Sequence, residues 1–315
     1  IYILPDTSAV LVDSLVPYIV TITPPAPDTY ILNETIDFTL NYNENVDITG
    51  IPRVVFDVGG VTKYADYISG TGTTTLLFQY TILNADEDIN GITFVGTVLD
   101  LNGATIQDIG INDSNTNLDA FTALPSMSLV FVDAVIPVIT SITPPADDIY
   151  IIGEDLDFIV NFDDNVTITN TPRLAITLTT GTVYADYLSG STTNAITYRY
   201  TVVAAKEDLD GIELVSPLDL PGGALIQDIN ENDSIVTFVP PVTTGILVDG
   251  IIPTVTIDAT SVITNTNFTT YNISGTCSEN TRLVSIDIGG VTATPTCTAL
   301  AWSATMDLTA VSESA

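Results

Sequence analysis

ITPPAPDTYILNETIDFTLNYNENV, residues 22–46, returns as ITPPADDIYIIGEDLDFIVNFDDNV at 142–166, so its start moves from Ile22 to Ile142, 120 positions. The same offset carries YADYISG (64–70) to YADYLSG (184–190), FQYTI (78–82) to YRYTV (198–202), and EDINGI (87–92) to EDLDGI (207–212). A period this long exceeds solenoid and propeller repeats and matches one whole domain per unit. LPDTSAVLVDSLVP (4–17) also aligns with LPSMSLVFVDAVIP (124–137), and ILVDGIIP (246–253) closes the second unit. The expected division is a closing strand of a preceding repeat at 1–14, units at 15–134 and 135–250, and an incomplete domain of a second type at 251–315.

Within a unit the apolar period is two. Ile36, Phe38, Leu40 and Tyr42 alternate with polar residues, as do Leu156, Phe158, Val160 and Phe162. Leu76, Phe78, Tyr80 and Ile82 repeat the pattern, echoed by Ile196, Tyr198, Tyr200 and Val202. Such alternation turns one strand face to a core and the other to water. Runs rich in Val, Ile, Thr and Tyr, broken at Gly59-Gly60, Ser69-Gly70 and Ser189-Gly190, predict seven or eight strands per unit and no helix. The expectation is an all-β chain of tandem immunoglobulin-like Greek-key β-sandwiches in an elongated array.

Acidic residues number 39 against 6 basic, a net charge of −33. Nucleic acid demands a basic footprint and is excluded as a partner. No apolar run reaches the roughly 18 residues that span a bilayer, so no membrane insertion is expected of this segment. Hydrophobic residues make up 45% of the chain, which argues for folded material rather than an acidic tail. Histidine is absent, which removes imidazole-based triads and metal sites.

GEDLDFIVNF, NVTITNTPRLAIT, YADYLSGS, EDLDGI, LDLPGG and VDGIIP, together with their counterparts in the first unit, resemble the tandem immunoglobulin-like repeats of very large bacterial surface and secreted adhesins. The resemblance covers residues 15–250 and the leading strand. YNISGTCSENTRLVSIDIGGVTATPTCTALAWSATMDLTAV (271–311) is similar to a second bacterial immunoglobulin-like type that carries a cysteine pair. The resemblance implies an extracellular stalk at the cell surface or secreted, with neighbouring repeats as partners, an unknown surface receptor, and calcium at domain junctions. It also favours a disulfide between Cys277 and Cys297 over a free buried pair. One departure stands out, since the linkers VDAVIP and VDGIIP each offer a single Asp.

Calcium takes six to eight oxygens, so acids meeting from two domains make a chemically sensible site. At the first junction the candidates are Asp86, Glu87, Asp88 and Asp133, facing Asp163, Asp164, Asn165, Asn232 and Asp233. At the second they are Glu207, Asp208, Asp210 and Asp249, facing Glu279 and Asn280. Asp108, Asn112, Asp113 and Asp228 are further calcium or turn candidates, because Asp and Asn also hold turns by local hydrogen bonds. Paired carboxylates could serve a glycosidase, but matching acids in both copies point to a repeated structural task, and no enzyme is expected. Two other readings remain. One is a self-assembling filament or surface layer completed by strand donation. The other is a carbohydrate- or protein-binding module using Tyr30, Tyr64, Tyr67, Tyr150, Tyr184 and Tyr187.

Overall fold

A computed structural model describes residues 13–120 and 123–311. Of the closing strand expected at 1–14, residues 1–12 lie outside them. The first unit runs β1 (Ile19–Thr23), β2 (Asp28–Ile31), β3 (Thr35–Thr49), β4 (Arg53–Val58), β5 (Val61–Ser69), β6 (Thr73–Thr81), β7 (Glu87–Asp88), β8 (Thr93–Phe94), β9 (Thr105–Gln107) and β10 (Val130–Asp133). The larger sheet is ordered β1-β3-β6-β5-β4-β8, with β9 on the far end of β3, and the smaller is β2-β10-β7. Neighbours are antiparallel except β10, which runs parallel to β2.

The second unit repeats this order and pairing with β11 (Ile139–Thr143), β12 (Asp148–Ile151), β13 (Asp155–Thr169), β14 (Arg173–Leu178), β15 (Gly181–Ser189), β16 (Thr193–Thr201), β17 (Glu207–Asp208), β18 (Glu213–Asp219), β19 (Leu225–Gln227) and β20 (Ile246–Asp249). Among the described residues each unit therefore has ten strands rather than the seven or eight expected. The extra ones, such as β7, β8 and β9, are two or three residues long. That is too short for any periodicity to register.

The alternation read from the sequence places the core. Ile36, Phe38, Leu40, Val54, Phe56, Leu76 and Phe78 from the larger sheet are fully buried, and Val130 and Val132 close over them from the smaller one. Leu156, Phe158, Val160, Ile176, Ile196, Tyr198, Ile246 and Val248 do the same in the second unit. Each such side chain contributes about 1.5–3 kcal/mol by leaving water. Phe38 and Phe56 meet with ring centroids 5.2 Å apart, tilted by 54°. Gly59 and Gly60, at φ 57° and 86°, form the two-residue loop joining β4 to β5, a left-handed pair that matches the twist of a hairpin.

The third segment pairs β21 (Tyr271–Thr276) with β24 (Ala301–Met306), and β22 (Ile286–Ile288) with β23 (Val291–Ala293). Its core joins Tyr271, Ile273, Trp302 and Met306 to the Cys277–Cys297 disulfide, whose Cα atoms are 6.3 Å apart. A Cβ on Gly275 would overlap the carbonyl oxygen of Thr256, so only glycine fits beneath Trp302. Among the described residues no helix is long and apolar enough to cross a membrane.

Candidate functional site

The head of each unit is built by two irregularities of its strands. β3 pairs regularly with β6 as far as Asn41↔Thr75, then resumes at Val46↔Thr73. The surplus residues, Glu44 among them, form a bulge that bends the strand. Beyond β9 the chain turns at Asp108. Its Oδ1 accepts from the Asn112 backbone N–H at 2.8 Å and its Oδ2 from the Asn112 side-chain amide at 2.8 Å. Burial alone would raise the Asp108 carboxyl, but the donors of Asn112 and the amides of Gly110 and Ile111 outweigh it and hold the group below the usual carboxylate range. Asp228 and Asn232 repeat these bonds at 2.9 and 2.8 Å.

The chain enters each unit across this turn. At the first head Asp13 caps the Leu15 amide, and the Asn112 side-chain amide lies 3.5 Å from the Asp13 carbonyl and 3.4 Å from that of Leu15. At the second head the Asn232 amide donates to the Asp133 carbonyl at 2.9 Å, and Asn230 donates to the Asp133 carboxylate at 2.5 Å. Asp163 accepts from the Val138 N–H at 2.8 Å, as Asn43 does from Tyr18 at 2.7 Å. A bond also crosses directly between units, for the Leu32 N–H of the first donates to Asn232 Oδ1 at 3.3 Å.

Carboxylates gather here. Asp13, Glu44 and Asp108 each offer an oxygen, all within 4.8 Å of one another, the one such acidic group among the described residues. This all-oxygen donor set fits a hard divalent cation such as calcium and lacks the nitrogen and sulfur that zinc prefers. Glu44 and Asp13 were not singled out from the sequence, although the 120-residue offset places them opposite Asp164 and Asp133.

The remaining candidates are distributed as follows. Asp133 lies at the joint with Asn230 and Asn232, and Glu87 faces it across β7 and β10. Asp88 holds the amides of Gly59 and Asn90, and Asp208 those of Thr179, Asp210 and Gly211, inside their own units. Asp113 and Asp233 accept from Gln107 and Gln227, and Asp164 accepts from the Asn165 N–H. Glu207 faces Asp249 across β17 and β20, and Asp249 caps Ile251. Glu279 pairs with Arg282 at 2.8 Å, and Asn280 accepts from the Leu300 N–H.

Among the described residues five of the six cations are paired with acids. Arg53 pairs with Asp100 and lies 4.2 Å from the Tyr64 ring centre, and Arg173 pairs with Asp219 and lies 3.7 Å from that of Tyr184. Lys63 contacts Asp86 at 2.5 Å, and Asp86 accepts from the Tyr80 hydroxyl at 2.5 Å. The Tyr30 and Tyr150 hydroxyls donate to the carbonyls of Ala26 and Ala146, and those of Tyr67 and Tyr187 accept from Thr71 and Ser191. Each of these hydroxyls bonds the backbone of its own unit four residues away.

No protein-family model matches the chain, and no curated protein does. Among solved structures it is similar to a marsupial T cell receptor, at 7% identity over 94% of each chain and a TM-score of 0.22. A likeness of that strength carries no argument about this chain.

Proposed function

We propose that the chain is a non-enzymatic stalk segment of an extracellular bacterial adhesin. In this reading tandem immunoglobulin-like units space a cell-surface structure, and calcium stiffens their joints. The observation that carries the reading is the joint itself. Linker, β3 bulge and Asp108 turn bring Asp13, Glu44 and Asp108 together at the first head, and the same turn grips the incoming linker at the second. A repeated device at the boundary between units serves their mutual orientation, a mechanical task. At a net charge of −33 a bound divalent cation would offset repulsion where acids are packed closest. Asp13, Glu44 and Asp108 would supply carboxylate oxygens, and a calcium ion there would fasten the linker to the head of the unit.

The test is thermal unfolding with calcium titrated into chelator-treated protein, alongside X-ray scattering. Calcium is expected to raise the melting temperature and narrow the spread of inter-unit distances. An unchanged melting curve and scattering profile at low salt would remove the metal from the proposal.

A further inference from the structure

We propose that the turn at Asn90-Gly91 in the first unit is a site of spontaneous deamidation, where the chain's own backbone converts a carboxamide to a carboxylate. Glycine is required there. The backbone runs so close to the loop ahead of β10 that a Cβ on Gly91, at φ 95°, would lie 2.6 Å from the Ser128 Cα and carbonyl carbon. Asn90 is exposed, and its backbone N–H is held by Asp88 Oδ1 at 2.9 Å. Among the described residues neither its carboxamide nor the Gly91 N–H has a hydrogen-bond partner. A free nucleophile therefore adjoins a free electrophile.

The other Asn-Gly and Asp-Gly pairs of the sequence are restrained. At Asn102-Gly103 the carboxamide donates to the Ile51 carbonyl at 3.3 Å, and the Ala104 N–H closes the turn on the Leu101 carbonyl at 2.7 Å. At Asp210-Gly211, the counterpart of Asn90-Gly91, the glycine N–H donates to Asp208 Oδ1 at 2.8 Å. At Asp249-Gly250 it donates to the Lys206 carbonyl at 2.7 Å.

In the reaction the Gly91 nitrogen bonds to the Asn90 side-chain carbonyl carbon, and the carboxamide nitrogen leaves as ammonia with the proton that Gly91 gives up. A cyclic imide remains, and water opens it. Cleavage between the side-chain carbonyl and the Gly91 nitrogen gives aspartate, the residue the second unit carries at 210. Cleavage between the backbone carbonyl and that nitrogen gives isoaspartate, whose main chain is longer by a methylene. The chain has no room for it beside Ser128. Buried Ile92, the next residue, donates its N–H to the Val130 carbonyl of β10 at 3.1 Å, and that bond is the one the longer chain loosens.

Peptide mass mapping of the folded chain after incubation in mildly alkaline buffer reads the conversion at each asparagine. Asn90 is expected to convert about tenfold faster than Asn102, whose carboxamide must first leave a hydrogen bond. Equal rates at the two overturn the site. Asp210→Asn places the same dipeptide in the second unit with its glycine N–H bonded, and is expected to convert about tenfold more slowly than Asn90. Conversion there at the Asn90 rate assigns the chemistry to the dipeptide alone and overturns the role of the free Gly91 amide. In converted protein the Ile92 amide is expected to exchange about tenfold faster than in fresh protein, the loss of one hydrogen bond. Asn90→Gln, whose longer side chain closes the imide ring poorly, is expected to keep the fresh rate through the same incubation. An Ile92 amide that stays as slow after conversion overturns the loosening of β10.

Discussion

The side-chain amide of Asn232 donates to the backbone carbonyl of Asp133 at 2.9 Å across a separation of 99 residues. It ties the head of one unit to the strand that closes the one before. Replacing Asn232 by Ala strips partners from Asp228, Asp133 and Leu32 together. The expected cost is about 2 kcal/mol, concentrated in the second unit. Exchange of the Leu156 to Val160 amides under global unfolding conditions measures it. Wild-type protection there would show that the side chain fills space without holding the joint.

Tyr198 is fully buried with no partner for its hydroxyl among the described residues, and burial pushes that group far above the ordinary tyrosine range. The first unit carries Phe78 at the equivalent place, and the edge-on ring contact persists in both, as Tyr67–Phe78 and Tyr187–Tyr198. Tyr198→Phe is expected to stabilise the second unit by about 1 kcal/mol, because an unsatisfied buried hydroxyl is removed without opening a cavity. A lower denaturant midpoint for the variant would contradict this.

Asp86 sits between Lys63 and Tyr80. Burial alone would raise its carboxyl, but hydrogen bonds from Lys63, Tyr80 and the Leu83 amide outweigh burial and hold it below the ordinary range. The group is held down in the folded state, so its stabilisation is present above the unfolded value, about 3.9, and disappears as pH falls through the folded one. Burial and Asp86 push the Tyr80 hydroxyl up to about 12. Lys63→Met is expected to destabilise the first unit by about 2 kcal/mol at pH 7. That deficit shrinks below about pH 4 as Asp86 protonates and no longer needs a cation. A deficit that stays constant down to pH 2 would assign the effect to packing.

Trp302 is the chain's one tryptophan and packs beside the Cys277–Cys297 disulfide with its indole N–H on the Thr256 carbonyl at 3.1 Å. The bridge closes a 20-residue separation, a loop whose constraint on the unfolded chain is worth about 3 kcal/mol. Reduction, or a double Cys→Ser variant, is expected to lower the midpoint of Trp302 fluorescence and leave the sheet signal of the two ten-strand units in place. Coincident loss of both signals would mean that the segments unfold as one.

Glu44→Gln and Asp13→Asn each remove a carboxylate from the Asp13, Glu44, Asp108 group. Without calcium both are expected to be neutral or slightly stabilising, since like charges are relieved. With calcium both should reduce the thermal upshift of the wild-type chain. Calorimetric titration checks this, and identical calcium heats for wild type and variants would place the ion elsewhere.

The strands and the core were legible residue by residue. Ile36, Phe38, Leu40, Leu76 and Phe78 alternate along the chain and are buried in the fold, because a pleated strand turns every second side chain to one face whatever lies beyond it. The turns were legible for the same local reason, in Gly59-Gly60 and in the Asp-Asn pairs that hold their own backbone. The 120-residue offset also established that there are two units. The partners of the polar residues were not legible. Asp88, Asp133 and Asp228 look alike in sequence, yet one caps a hairpin, one closes a linker and one holds the turn that grips it. The short strands β7 to β9 carry too few residues for a pattern. Glu44 lies beside Asp13 and Asp108 where β3 bulges, and Asn232 is buried where Asp228, the Asp133 linker and Leu32 of the preceding unit meet it. Periodicity is a property of neighbours along the chain, and the sequence by itself determined what depends on it. Distances across a joint depend on how two folded bodies meet, and that only the tertiary structure decided.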